Sequence, residues 1–370
     1  MMYLDYAATA PPRREVLAAM WPHLTGSFGN PASRHELGLA AERALEDARA
    51  RVAAQLGARP TEIVFTSGGT ESDNAAIKGI ALASARGKHV LISAVEHSAV
   101  RESALWLTRF GYEVQTLPVD AEGLVSPADL RAALREDTAL VSVQYASNEV
   151  GTVQDLAGLS AVARERDVPF HTDAVQAAAA LSLDVTELGV HAMSLSGHKL
   201  GTPKGIGVLY LRRRTPFEAL IHGGGQQRDL RSGTESPAAA VGMATALELA
   251  AAEREGLAGW ERRRDEFIAA VEASVPGAQL SGHRLRRLPG HASFVFPARS
   301  GESVLLDLER EGILCSSGSA CHAGSSEPSP VLTAMGYPAE QAQTAVRFTF
   351  GQETTAEELH QVAQALQQLL

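Results

Sequence analysis

The chain has 370 residues, 33 basic and 43 acidic, and so carries a formal charge of −10 at pH 7 with histidine uncharged. That length accommodates two domains, or one large domain with a satellite, and the ordinary content of apolar and charged residues is that of a globular protein. The acidic balance disfavours nucleic acid or an anionic membrane as the main partner, and the two cysteines, Cys315 and Cys321, are too few for a disulfide framework.

The opening MMYLDYAATAPP lacks the basic and apolar regions of a secretory leader, and no later run approaches a membrane span. The expected compartment is therefore the reducing cytoplasm. Beyond the extended opening, residues 36–56 have the length and composition of a helix, ending at Gly57. IVFT (63–66) reads as a buried strand, followed at once by SGGTESDN (67–74) and a helix to about 86. Strands at 89–93, 113–117, 139–145, 168–173, 191–196 and 205–211 then alternate with helices at 98–109, 127–135 and 155–166. Continuous apolar strands between helices predict an α/β domain with a mostly parallel sheet covered on both faces.

The character changes after Gly223. Residues 237 to about 273 are almost unbroken helix formers. Beyond them lie strands at 293–297, 313–315 and 345–350, with helices at 301–311, near 330–335 and at 355–369, which predicts a smaller α+β domain. The expected division is 13–245 for the large domain, with 1–12 and 246–370 forming the small one.

Within this frame a few residues are hard to explain as structure alone. Lys199 sits in SGHK between two apolar runs, MSLS and GIGVLYL. A buried, unpaired ammonium costs several kcal/mol, so such a lysine does chemistry or else is an exposed hairpin lysine. The turn containing Gly69 and Thr70 joins a strand to a helix N-terminus, an arrangement that suits a phosphate, although an ordinary N-cap turn has the same residues. Asp173 ends a strand and can form a salt bridge or hold a protonated pyridine nitrogen, with Gln176 three residues on. His97 and Asn148 each follow a strand, where parallel sheets place their clefts. Arg347, inside AVRFTF, requires an anion, and a substrate carboxylate fits its forked geometry. Cys321 lies in CSSGSACHAGSSEPSP, a Ser/Gly-rich loop expected to be mobile, and a thiol there is expected to act as a nucleophile. A metal site from Cys315, Cys321 and His322 has poor spacing, so no metal is expected.

Taken together, LDYAAT (4–9), FGNPASR (28–34), FTSGGTESDN (65–74), EH (96–97), NEVGTVQD (148–155), HTDAVQ (171–176), SGHK (196–199), RSGT (231–234), SSGSAC (316–321) and EPS (327–329) form one collinear set. This set resembles the cysteine desulfurases, most closely the NifS/IscS-like group of the class V aminotransferase superfamily of pyridoxal-phosphate enzymes. The resemblance implies fold type I and a homodimer with its active site at the domain and subunit interface. It implies that Lys199 holds pyridoxal 5'-phosphate through its amine, Asp173 pairs with the pyridine nitrogen and Gln176 bonds the phenolic oxygen. Gly69, Thr70, Ser196 and His198 would hold the phosphate, joined by Thr234 of the other subunit. His97 would stack on the ring and move protons, while Asn148 and Arg347 would bind the carboxylate of L-cysteine. Cys321 would take the sulfur as a persulfide and pass it to an acceptor or scaffold protein, for iron-sulfur cluster assembly or another use. Gln226-Gln227 stands where relatives often have His-Glu. A selenocysteine lyase or another pyridoxal-phosphate lyase would share the cofactor residues, and a non-catalytic sulfur-relay subunit would share only the fold. Cys321 in a long loop argues for desulfuration over a plain lyase, and intact Lys199, Asp173, His97 and Cys321 speak against a non-catalytic subunit.

Overall fold

The structure, a computed structural model, describes residues 1–296, 299–317 and 328–370. Its main sheet has the order Ile63–Thr66, Gly207–Leu211, Ala192–Ser196, Phe170–Asp173, Thr138–Ser142, His89–Ser93, Glu113–Leu117. Gly207–Leu211 runs antiparallel to both of its neighbours, and the remaining ladders are parallel. The sheet is thus mostly parallel, as the apolar runs require, because strands with helices on both faces have no polar side to show. The two reversals around Gly207–Leu211 cancel, so Ile63–Thr66 points the same way as the parallel strands. Their carboxyl ends share one edge of the sheet.

A second, antiparallel sheet has the order Ser316–Ser317, Ala345–Thr349, His291–Val295, Gln279–Leu280. Its own apolar cluster gathers Leu4, Phe267, Phe294, Phe348, Phe350 and Val362. Phe267 meets Phe294 and Phe348 edge-on, with centroids 6.1 and 5.5 Å apart, the geometry that ring quadrupoles favour. A larger cluster lies under one face of the main sheet and takes in Ala246, Leu247 and Ala250.

The stretch 237–273 is not one helix. Pro237–Glu253 packs into the larger cluster, a 3-10 turn follows at Arg254–Gly256, and Leu257–Ser274 carries Phe267, Ile268 and Val271 into the smaller one. Gly256 is a poor helix former, and the Gln352 amide reaches across to donate to the Glu253 carbonyl at 2.5 Å, a bond from outside the helix at the end of its run. A helix not expected from the sequence, Arg14–Leu24, forms because Val16 and Met20, one turn apart, pack on the Pro237–Glu253 helix. Gly242 permits that approach: a Cβ there would sit 2.7 Å from the Met20 sulfur.

The N-terminal segment ties the two cores together. Met2–Tyr3 pairs in parallel with Ile313–Leu314, the Thr349 N–H donates to the Leu4 carbonyl, and the Ala10 N–H donates to the carbonyl of His198.

Candidate active site

At the carboxyl edge of the main sheet is a cavity of about 360 Å³. Gly69, Thr70, His97, Asn148 and Asp173 line it, together with Gln176, Ser196, His198, Lys199 and Arg347. These residues span nearly 280 positions of sequence, and the strand ends assemble them. The strands flanking Lys199 do form an antiparallel hairpin, but the lysine at its turn faces inward. Its ammonium donates to the carbonyls of Ala7 and Ala8, the second at 2.8 Å. The Gln176 amide donates to the same Ala7 carbonyl at 3.0 Å.

Asp173 ends the strand Phe170–Asp173 and accepts the Val175 N–H at 2.9 Å. Burial raises its pKa, opposed by His97, the Val175 N–H and Lys199. Behind it lies Asp73, on the inner face of the Gly69–Ala83 helix and 1% exposed. The polar atoms of Asp73, His97 and Asp173 all lie within 4.8 Å of one another. Burial, and then Asp173, push the Asp73 pKa well above the carboxylate range, and its Oδ1 has no hydrogen-bond partner. Two buried acids this close cannot both ionise readily, and a cation bound between them would favour their charged forms. Glu96 adds a third buried acid: it accepts Ser93 Oγ at 2.5 Å and the Gln144 N–H at 2.7 Å, and burial pushes it up to about 8. His97 caps the Ser98–Leu107 helix, its Nδ1 accepting the Ala99 N–H at 3.1 Å, which fixes the ring's orientation.

The opposite end of the cavity is a backbone cradle. Gly68 is the N-cap of Gly69–Ala83, and the first residues of that helix, Gly69 and Thr70, line the cavity and bring the positive end of its dipole to the wall. A Cβ on Gly69 would lie 2.8 Å from Val175 Cγ2, so only glycine lets this turn approach so closely. Ser196 is buried beside it, and His198 bonds Thr9 Oγ1 through Nδ1 at 3.2 Å. Burial, with Lys199 and Lys204 nearby, pushes His198 down to about 4, so it offers a neutral imidazole rather than a cation. Arg231 grips Glu71 of the first turn at 2.8 Å and holds the arm 225–235 against the cradle. On that arm the Gln227 side-chain Oε1 accepts Arg49 Nη1 at 2.7 Å and the Phe65 N–H at 2.9 Å, while its Nε2 donates to the Glu235 carboxylate. Thr234, on the same arm, is exposed and does not line the cavity.

Arg347 is 1% exposed in the strand Ala345–Thr349. It donates to the Asn148 carbonyl at 2.9 Å and to Asp5 at 2.8 Å. Its anion in this structure is thus Asp5, from the motif LDYAAT at the far end of the chain. Cys315 packs against the smaller core, and burial pushes its thiol up to about 12, which leaves little thiolate for nucleophilic work. Cys321 lies outside the described residues. The sequence reading assigned no part to Asp73, Glu96, Gln144 or the Ala7–Ala8 carbonyls. Asp73, Glu96 and the Ala7–Ala8 pair stand inside the motifs SGGTESDN, EH and LDYAAT, the one signal that could have pointed to them.

The whole chain has known counterparts. Residues 2–362 match the family described as Aminotransferase class-V. The cysteine desulfurase IscS of Dictyoglomus turgidum is 47% identical over 371 residues, covering 100% of this chain and 94% of that relative. Among solved structures, a NifS-like protein superposes with a TM-score of 0.93 at 34% identity, covering 100% of this chain and 98% of that one. SspA in complex with cysteine does so with a TM-score of 0.83 at 36% identity, covering 95% and 99%. The chain belongs to the class-V aminotransferase family and, within it, to the cysteine desulfurases.

Proposed function

We propose that this cysteine desulfurase binds pyridoxal 5'-phosphate in the 360 Å³ cavity and moves sulfur from L-cysteine to Cys321. The observation that carries the reading is the placement of Lys199 and Asp173 at the ends of adjacent strands, facing one cavity closed by the Gly69 cradle. The cavity has the size of small-molecule sites, and Asp173, at a strand end on its wall, offers a carboxylate for a cationic ring nitrogen. Lys199 would hold the cofactor, Asp173 its ring nitrogen and Gln176 its phenolic oxygen. Gly69, Thr70, Ser196 and His198 would hold the phosphate. When bound, the cofactor supplies an electron sink for negative charge at the substrate Cα.

The chain's own residues do the rest. Arg347 and Asn148 bind the substrate carboxylate, and Lys199 moves the Cα proton. His97 stacks on the ring and shuttles protons. The Cys321 thiolate attacks the substrate sulfur, the C–S bond breaks, and its electron pair stays with the carbon skeleton, which is protonated and leaves as alanine. Cys321 is left as a persulfide. Thr234 is exposed in one chain and completes the phosphate site of a homodimer partner. The persulfide passes to an acceptor protein, with iron-sulfur cluster assembly in the cytoplasm as the proposed setting. We place the division between large and small domains at the turn Arg254–Gly256, later than the expected 245, because Ala246, Leu247 and Ala250 belong to the larger core.

The test is to mix the purified holoenzyme with L-cysteine and assay alanine together with protein-bound persulfide. Lys199→Ala is expected to lose the visible absorption of the bound cofactor. Cys321→Ser is expected to keep that absorption and form no persulfide, and normal sulfur release by this variant would remove Cys321 from the mechanism.

A further inference from the structure

One buried acid has no part in the reaction described so far. Glu149 follows Asn148 and is 8% exposed. A buried carboxyl without a directly bonded cation is costly, so its retention asks for a reason. Its direct partner is Ser329, whose hydroxyl donates to Glu149 Oε2 across 180 positions of sequence. Ser329 is 2% exposed and also caps the helix Pro330–Ala334, accepting the Leu332 N–H at 3.1 Å.

What makes the pair informative is the chain on either side of residues 318–327. Upstream, Ser316 pairs in register with Arg347, and Ser317 with Val346. Downstream, Ser329 is bonded to Glu149, the neighbour of Asn148. Arg347 donates to the Asn148 carbonyl at 2.9 Å, and the Ser147 hydroxyl accepts the Glu149 and Val150 N–H groups at 3.2 and 3.3 Å. The upstream stem is therefore paired with Arg347 itself, and the downstream stem is bonded to Glu149, the residue next to Asn148. Val150, Val331 and Leu332 share a small apolar cluster that holds the downstream stem nearby. Apolar contact is non-directional and tolerates sliding, whereas a hydrogen bond to a buried carboxyl fixes one register.

We propose that Glu149 and Ser329 form a positioning pair that sets the register of the downstream stem against the carboxylate-binding wall, so that sulfur transfer depends on the pair while cysteine binding does not. The inference rests on the reading of Cys321 as the sulfur acceptor. Neither residue touches the reacting atoms, and both act through the placement of the chain between 317 and 328.

The experiment uses single-turnover mixing of the holoenzyme with L-cysteine. It reads the rate of persulfide formation separately from the L-cysteine concentration that half-saturates the change in cofactor absorption. Ser329→Ala and Glu149→Met are expected to slow persulfide formation about 10- to 100-fold, the range for a reacting group displaced by about an ångström. Half-saturation is expected to stay within about twofold, and Ser329→Thr, which keeps the hydroxyl, to recover most of the rate. The double variant is expected to be no slower than either single one, because the two groups act as a unit. Wild-type transfer in Ser329→Ala, a parallel loss of cysteine binding, or multiplied losses in the double variant would each overturn the proposal. If Glu149→Met does not fold, the contrast between Ser329→Ala and Ser329→Thr decides the matter. A wild-type holoenzyme that formed alanine but no Cys321 persulfide would remove the underlying reading instead.

Discussion

Replacing Glu96 with glutamine tests the electrostatics of the buried acid layer. The Glu96 carboxyl accepts two hydrogen bonds on Oε1, while its Oε2 is buried and unpartnered. Burial is the main cause of its rise to about 8; the Ser93 hydroxyl and Gln144 N–H oppose it, Asp173 reinforces it, and His97 works against it. The folded chain thus holds the proton more tightly than the unfolded chain does, a preference on the order of 5 kcal/mol. The contribution is fully present below the ordinary glutamate pKa, where the acid is neutral in both states. It is lost as pH rises, because the unfolded chain ionises first: about 3 kcal/mol is gone by pH 7, and nearly all of it once pH passes the folded value. Glutamine keeps the Oε1 acceptor and never ionises. Urea unfolding of cofactor-free Glu96→Gln and wild type is therefore expected to give similar stabilities near pH 5 and a widening advantage for the variant towards about pH 9. An advantage that stays flat or shrinks with rising pH would refute the reasoning.

Arg347→Lys keeps the charge but cannot reach both the Asn148 carbonyl and Asp5. Half-saturation by L-cysteine is expected to rise about 10- to 100-fold with the cofactor absorption intact. Gln227→Leu leaves the buried Arg49 guanidinium and the Phe65 N–H short of an acceptor. Urea unfolding is expected to show a loss of about 2–4 kcal/mol, with catalysis per folded molecule changed much less.

The sheet was legible because most of its strands are short apolar runs buried on both faces; the edge strand Glu113–Leu117 is the exception, partly exposed and carrying Glu113 and Gln115. The same logic made the strand-end residues visible, since a parallel sheet gathers them at one edge. Lys199 shows where local pattern stops: a hairpin lysine and an inward lysine have the same neighbours in sequence, and the Ala7 and Ala8 carbonyls decide between them. Asp73 was hidden because the facing of a helical residue depends on what the helix packs against, not on the residues beside it. Asp5 and Arg347 are 342 positions apart, and no local signal announces such a pair. The break between Pro237–Glu253 and Leu257–Ser274 is hard to see in the sequence because Gly256 is its only local mark, while the Gln352 amide that meets the Glu253 carbonyl comes from far along the chain.

The N-terminal strap also sets an order of assembly. Met2–Tyr3 finds its strand partner only after residue 314 exists, and Leu4 accepts its bond only from Thr349. Residues 2–10 are thus seated only after contacts that span most of the sequence have formed, and the carbonyls of Ala7 and Ala8 come to rest against Lys199 late in folding. The main sheet uses none of these residues, so its strands can pair before the surroundings of Lys199 exist. A pull on this strap is expected to disturb the Lys199 amine before it loosens the main sheet.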